Sequence, residues 1–121
     1  MKEISIIIPN TRLKDLDQVL YKHNVGGVSY YSISGRGRGQ HHKPREVRTY
    51  EGYDTGRTET LEFEARTKVE IIVPESTKKD IIEDILSTLG TDPTIADGKV
   101  FVKDIPEAYD IRSKESGESA L

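Results

Sequence analysis

Two short glycine turns bearing cations lie at the ends of strand-like runs, and each has the make-up of an anion site. One is Gly35-Arg36-Gly37-Arg38-Gly39, and the other is Asp97-Gly98-Lys99, which leads into Val100-Phe101-Val102. Glycine lets the backbone approach a ligand closely, and Lys or Arg beside exposed N–H groups completes a phosphate cradle. Alone, each is also an ordinary turn beside a strand. Two in one small chain point to a phosphate-bearing ligand held between them. The other candidates for chemistry are poorer. His41 and His42 are adjacent, so in extended chain their side chains point apart, and His23 is distant in sequence. No Ser/His/Asp constellation and no pair of buried carboxylates stands out, so the reading is that this chain is not an enzyme.

The elements that must position these turns occupy 121 residues, enough for one small domain with a modest core. Hydrophobic residues make up 34% and charged residues 32%, so the surface is highly polar. A net charge of −3 lacks the basic footprint of a nucleic-acid binder. The chain has no cysteine, which removes disulfides and thiolate metal sites. No apolar run approaches the roughly 18 residues of a membrane span, so direct membrane insertion is not expected. Met1-Lys2-Glu3 runs straight into a strand without a signal-peptide pattern, making the cytoplasm the default location.

Ile4-Ser5-Ile6-Ile7-Ile8 reads as a strand closed by Pro9. From Thr11 as N-cap, Leu13, Leu16, Val19 and Leu20 recur at helical spacing as far as Asn24. Val28–Ser34 reads as a second strand, and Leu61–Val73 as a third that Pro74 stops. Thr77 with Asp80 resembles a capping box, and Ile81, Ile82, Ile85, Leu86 and Leu89 form one helical face ending at Gly90. Lys99–Val102 is the fourth strand, with a short extended segment near Ile111. The order β-α-β-β-α-β is that of an α+β, ferredoxin-like sandwich. Its helices cover one sheet face, and self-association is the simplest cover for the other. Residues 1–112 form the domain, and 113–121 a flexible polar tail.

Between the second and third strands, residues 35–61 contain five glycines, many charges and almost no apolar side chain. Residues 36–48 hold five Lys or Arg against one Glu. A structureless loop of this length inside a compact domain is functional or disordered. Such a segment orders against a partner or ligand.

With these features in place, the chain resembles the PII family of nitrogen-signalling proteins. The resemblance rests on Met1-Lys2-x-Ile4, Leu13 to Leu20, Gly27, Gly35-x-Gly37-Arg38 and Lys68-Val69-Glu70-Ile71-Ile72-Val73-Pro74. It continues through Asp97-Gly98-Lys99-Val100-Phe101-Val102 and Ile111-Arg112. It implies a homotrimer with ATP or ADP in the clefts between subunits, and 2-oxoglutarate bound with Mg-ATP. It also implies that the loop over 35–61, the T-loop, presses onto a target such as an ammonium transporter or glutamine synthetase.

Carried over residue by residue, the resemblance puts Gly35, Gly37 and Arg38 at the T-loop base, against the phosphates. Asp97, Gly98 and Lys99 fall in the B-loop that cradles the same phosphates, and Arg112 arrives from a neighbouring subunit. Glu70 and Ile72 line the adenine side. Gln40 is the candidate Mg ligand, displaced one position by Gly39, and Arg66 stands where a lysine pairs with 2-oxoglutarate.

The chain also departs from the pattern. Pro93 and Ala96 replace glycines in the B-loop lip, Thr94 stands in place of a lysine, and Asp110 in place of an arginine. These changes weaken ATP binding or favour a nucleotide with fewer phosphates. The T-loop is longer than usual, and Tyr50 and Tyr53 lie outside the family's modification context, so no modification is assigned. A PII-fold interaction protein that has lost ATP and 2-oxoglutarate sensing is the alternative reading. A small enzyme or metal-binding protein on a ferredoxin-like fold is a further one.

Overall fold

The computed structural model describes residues 1–35, 47–51, 60–90 and 98–121. Five strands and two helices follow one another as β1 (Lys2–Pro9), α1 (Leu13–Lys22), β2 (Val28–Gly35), β3 (Val47–Glu51), β4 (Thr60–Val73), α2 (Glu75–Leu89) and β5 (Lys99–Asp104). The sheet order is β2-β4-β1-β5 with every neighbour antiparallel, and β3 also pairs with β4. This is the ferredoxin-like arrangement expected from the element order.

β1 is central. Ile4 faces Ile71 and Val102, and Ile6 faces Val69 and Val100. Side chains alternate across a strand, so Ile4, Ile6 and Ile8 point to the helices and are at most 2% exposed. Leu16, Val19 and Leu20 of α1 and Ile81, Ile85 and Leu89 of α2 close over them. Their spacing of three and four residues forms one apolar stripe on each helix.

The helix starts differ from the sequence expectation. Thr11 is not an N-cap: it lies inside a 3-10 turn, Asn10–Arg12, that precedes α1. Pro9, with φ −60° and ψ 146°, turns the chain out of β1 and lets that turn form first. The turn is pinned to β4 by a hydrogen bond from Thr67 Oγ1 to Asn10 Oδ1 at 2.7 Å. Similarly, α2 begins at Glu75, ahead of the Thr77 capping box, because the extended Pro74 is its N-cap. The Thr77 hydroxyl instead donates to the Pro74 carbonyl at 3.1 Å.

A polar cluster joins the two helices. Lys22 Nζ donates to Asp84 Oδ2 at 3.0 Å, and His23 Nε2 lies 2.8 Å from the same oxygen. Thr88 Oγ1 donates to Asp84 Oδ1 at 3.2 Å, and Arg12 Nη2 donates to the Thr88 carbonyl at 3.2 Å near the end of α2. At the other end of the sheet, Lys2 is paired with Asp104 of β5 and with Glu75 of α2.

Two segments carry more structure than the sequence was read to contain. Residues 35–61 include β3, whose residues Val47 to Glu51 pair with Glu64 to Thr60. Glu64 is also the partner of Gly35. A strand residue has two edges, so β3 lies on the β1 side of β4 and continues the line of β1 past Pro9. Its ladder partner is the next strand in the chain, and its own apolar content is too low to mark it as a strand. The region of Ile111 is a turn, not an extended segment. Beyond it, Tyr109 and Ser116 form an isolated bridge, and Gly117–Ala120 is a 3-10 turn.

Ile6 is 1% exposed at the centre of this packing, so Ile6→Ala should cost about 2–5 kcal/mol of unfolding free energy, read in a urea titration. The Asp84 carboxyl is held below its ordinary value of 3.8 by the Lys22 hydrogen bond first and His23 next, against the opposing effect of burial. Its stabilisation is therefore complete above 3.8 and lost as pH falls through the depressed folded value. Asp84→Asn should flatten the acid limb of the stability–pH curve, and an unchanged limb would contradict this assignment.

Candidate functional site

Gly98 sets the geometry at the start of β5. Its φ is +123°, and a Cβ placed there would lie 1.8 Å from the Ile7 carbonyl oxygen. Both the dihedral and the close approach to β1 require glycine. The chain is thereby seated against β1, and Lys99 follows at once as the partner of Ile7.

Lys99 lies on the face of the sheet opposite the helices, and the strand registers build the rest of that face. Across the sheet, Lys99, Ile7, Lys68 and Tyr31 form one row. Phe101, Ser5, Glu70 and Ser29 form the next, followed by Lys103, Glu3 and Ile72. Phe101 and Tyr31 are both 49% exposed. The face thus interleaves Ile7, Tyr31, Phe101 and Ile72 with Lys, Glu and Ser side chains, and Lys99 stands at one of its edges. Such a surface can stack a flat apolar ring and pair with an anion beside it.

Glu70 is the acidic member of this face. Lys68, two residues earlier on the same side of β4, places Nζ 2.9 Å from Glu70 Oε1. That hydrogen bond is the main reason the Glu70 carboxyl sits below its ordinary range, with Tyr31 and Lys103 contributing. The same bond raises the Lys68 ammonium above its ordinary value. Glu70 is therefore ionised at neutral pH and oriented from two strands. The i, i+2 spacing of Lys68 and Glu70 was legible in the sequence. Tyr31 joins them only through the β2–β4 register.

The remaining sequence-stated positions are dispersed. Gly35 ends β2 at one outer edge of the sheet, while Gly98 and Lys99 begin β5 at the other. Ordinary strand spacing puts these edges about 14 Å apart. Ile72 lies on the open face opposite Glu3, and Arg66 is buried opposite Pro9 and Ile33. Arg112 is exposed and follows β5 from its far end, where Asp104 pairs with Lys2. Lys99, Glu70 and Ile72 thus share the open face of one chain, spread over three successive rows, whereas Gly35 ends the strand at the edge opposite Lys99.

Gly37, Arg38, Gln40, Tyr53 and Asp97 lie outside the described residues, as do His41, His42, Pro93, Thr94 and Ala96. Tyr50 belongs to β3 by its backbone. Among the described residues, no group of three or more His, Asp or Glu is placed to hold a metal. Also among them, no helix is long and apolar enough to cross a membrane.

Residues 1–115 match the family described as Nitrogen regulatory protein P-II. The chain is 30% identical to the Nitrogen regulatory protein P-II of Rhodobacter capsulatus over 121 residues, covering all of both chains. It is 31% identical to Nitrogen regulatory protein P-II 2 of Methanothermobacter thermautotrophicus, covering all of this chain and 97% of that one. Among solved structures, B. subtilis GlnK shares the fold at a TM-score of 0.71 and 22% identity, covering 99% of this chain and 97% of the other.

The Gly98 seat makes a direct prediction. Gly98→Ala forces either the side chain or β1 to move, and backbone strain of this kind costs on the order of 1–3 kcal/mol. Its thermal midpoint should fall measurably below that of the unsubstituted protein, whereas an equal midpoint would show that the contact relaxes freely.

Proposed function

The chain belongs to the nitrogen regulatory protein P-II family, and from that premise we propose that it senses adenine nucleotides and reports them to a target protein. Members of this family act in nitrogen signal transduction and are signalling proteins, not enzymes. The finer reading is a homotrimer, located in the cytoplasm, with ATP or ADP in each cleft between subunits. The observation that carries it is the Gly98 seat, which presents Lys99 beside Ile7 at the edge of the open face.

In this reading the base lies toward Ile72 and Glu70, and the phosphates lie at Gly98 and Lys99. A guanidinium or ammonium beside free backbone N–H groups is the donor set that a polyphosphate needs. The placement of Gly35 and Lys99 at opposite edges of one chain's sheet supports a cleft completed by a neighbouring copy. Gly35, Gly37 and Arg38 at the T-loop base and Arg112 of the C-terminal arm are the residues that would complete it. Gln40 would hold Mg beside the phosphates, and Arg66 would pair with 2-oxoglutarate. Ligand contacts there would shift the population of T-loop arrangements, one of which fits a target such as an ammonium transporter or glutamine synthetase.

A second reading is an interaction protein of the same fold that engages its target whatever the nucleotide. The observation favouring it is Asp110, an acid where the family pattern has an arginine. Calorimetric titration with ATP, ADP and AMP, each with and without Mg and 2-oxoglutarate, separates the two. Sensing requires saturable heat with at least one nucleotide, and target binding that changes with it.

A charge-assisted hydrogen bond is worth about 1.5–3 kcal/mol. Lys99→Ala should therefore weaken nucleotide binding on the order of 10- to 100-fold, with the sedimentation behaviour of the protein unchanged. An unaltered Kd in this variant would remove Lys99 from the site.

A further inference from the structure

Asp110 lies two residues before Arg112, in the arm that continues from β5 after Ile105 donates its N–H to the Met1 carbonyl at 3.0 Å. Its Oδ1 accepts hydrogen bonds from the backbone N–H groups of Arg112 at 2.9 Å and Ser113 at 2.7 Å. The backbone closes around the same turn. The Lys114 N–H donates to the Asp110 carbonyl, and the Asp110 N–H to the Glu115 carbonyl, each at 2.9 Å. The Tyr109–Ser116 bridge forms the stem. Arg112 is therefore at the tip of a small closed hairpin.

Apolar burial contributes little to that tip. Ile111 is 97% exposed, and residues 111 to 116 are all exposed. Lys114 sits at φ +61°, a conformation that side-chain-bearing residues rarely adopt. The turn is thus maintained by hydrogen bonds, and the Asp110 carboxylate accepts two of them. An Asp side chain bonded to the amides that follow it is a recognised way of stabilising a turn.

We propose that Asp110 is a positioning residue, whose carboxylate clamps the Arg112 and Ser113 amides and so fixes how Arg112 is presented to nucleotide phosphates at Gly98 and Lys99 of a neighbouring copy. This rests on the nucleotide reading given above. It changes the meaning of an acid at this position. A free carboxylate near the phosphates repels them, whereas this one is directed at two N–H groups of its own turn. Those bonds, Ser113 first, hold its carboxyl below the ordinary 3.8, so it is ionised and engaged at neutral pH.

The test compares Asp110→Asn, which keeps an Oδ1 acceptor, with Asp110→Ala, which removes it. Calorimetry with ADP and ATP on the full chain should give affinities for Asp110→Asn within about 2-fold of the unsubstituted protein, since the acceptor geometry persists. Asp110→Ala should bind on the order of 5- to 10-fold more weakly, and combining it with Arg112→Ala should add nothing to Arg112→Ala alone. Tighter ATP binding in both Asp110 variants would overturn the proposal in favour of charge repulsion. Full additivity with Arg112→Ala would overturn it equally, because Asp110 would then act independently. The amide proton shifts of Arg112 and Ser113, recorded without nucleotide, test the clamp by itself. They should move in Asp110→Ala more than in Asp110→Asn, and no movement would refute it. If the clamp shifts appear but Arg112→Ala binds normally, the placement of Arg112 in the nucleotide site is what fails, and the positioning role fails with it.

Discussion

β1 is hydrogen-bonded along both edges, to β4 and to β5, and this double pairing constrains most of the molecule. Its alternate residues Ile4, Ile6 and Ile8 seal the helix-covered core, so its register cannot slip by one residue without exposing them. With the register set, Ile7 must face the other way. The row of Lys99, Ile7, Lys68 and Tyr31 follows from that single alternation. The same strand supplies the carbonyl against which Gly98 packs. Core and candidate site are two faces of one strand, and a change in either is felt by the other.

The two faces differ in how they are held. The helix side is maintained by aliphatic burial across α1, α2 and the sheet, and its polar ties lie at the periphery around Asp84 and Lys2. The open side is held by backbone ladders and by Lys68, Glu70 and Tyr31. Exposed apolar rings among charges suit a face that meets a ligand or another copy more than one that meets water alone. The C-terminal arm extends this logic. It leaves the sheet at the Lys2 end and orders its tip by hydrogen bonds, so Arg112 is displayed without a local core.

Much of the architecture was legible from local patterns. Ile4 to Ile8, Leu13 to Leu20 and Ile81 to Leu89 each carry a period strong enough to name the element and most of its buried face, although Leu86, expected on the apolar stripe of α2, is exposed because the buried stripe runs through Ile81, Ile85 and Leu89. The element order then implied the ferredoxin-like sheet, and Gly98 and Lys99 were recognisable as a turn with a cation. Thr11 and Thr77 have the right side chains for N-caps, but Pro9 and Pro74 fix the chain direction first and start the turns earlier. β3 has too little apolar content to read as a strand, and its five residues are held by backbone bonds to β4, the next strand in the chain.

Residue types and their spacing were thus enough to determine the order of the four sandwich strands and two helices, most of the buried stripes and the family to which the chain belongs. These properties depend on neighbours within a few positions, where a period of 2 or 3.6 is visible. Tertiary structure alone decided that Tyr31 reaches Glu70, that Gly98 must be glycine because of Ile7, and that Gly35 and Lys99 occupy opposite edges. It also turned Asp110 from an isolated acid into the clamp of a hairpin. The first three depend on strand register, which is set by hydrogen bonds and packing between segments remote in the linear order, and the Asp110 turn depends on a local closure that residue types alone do not specify.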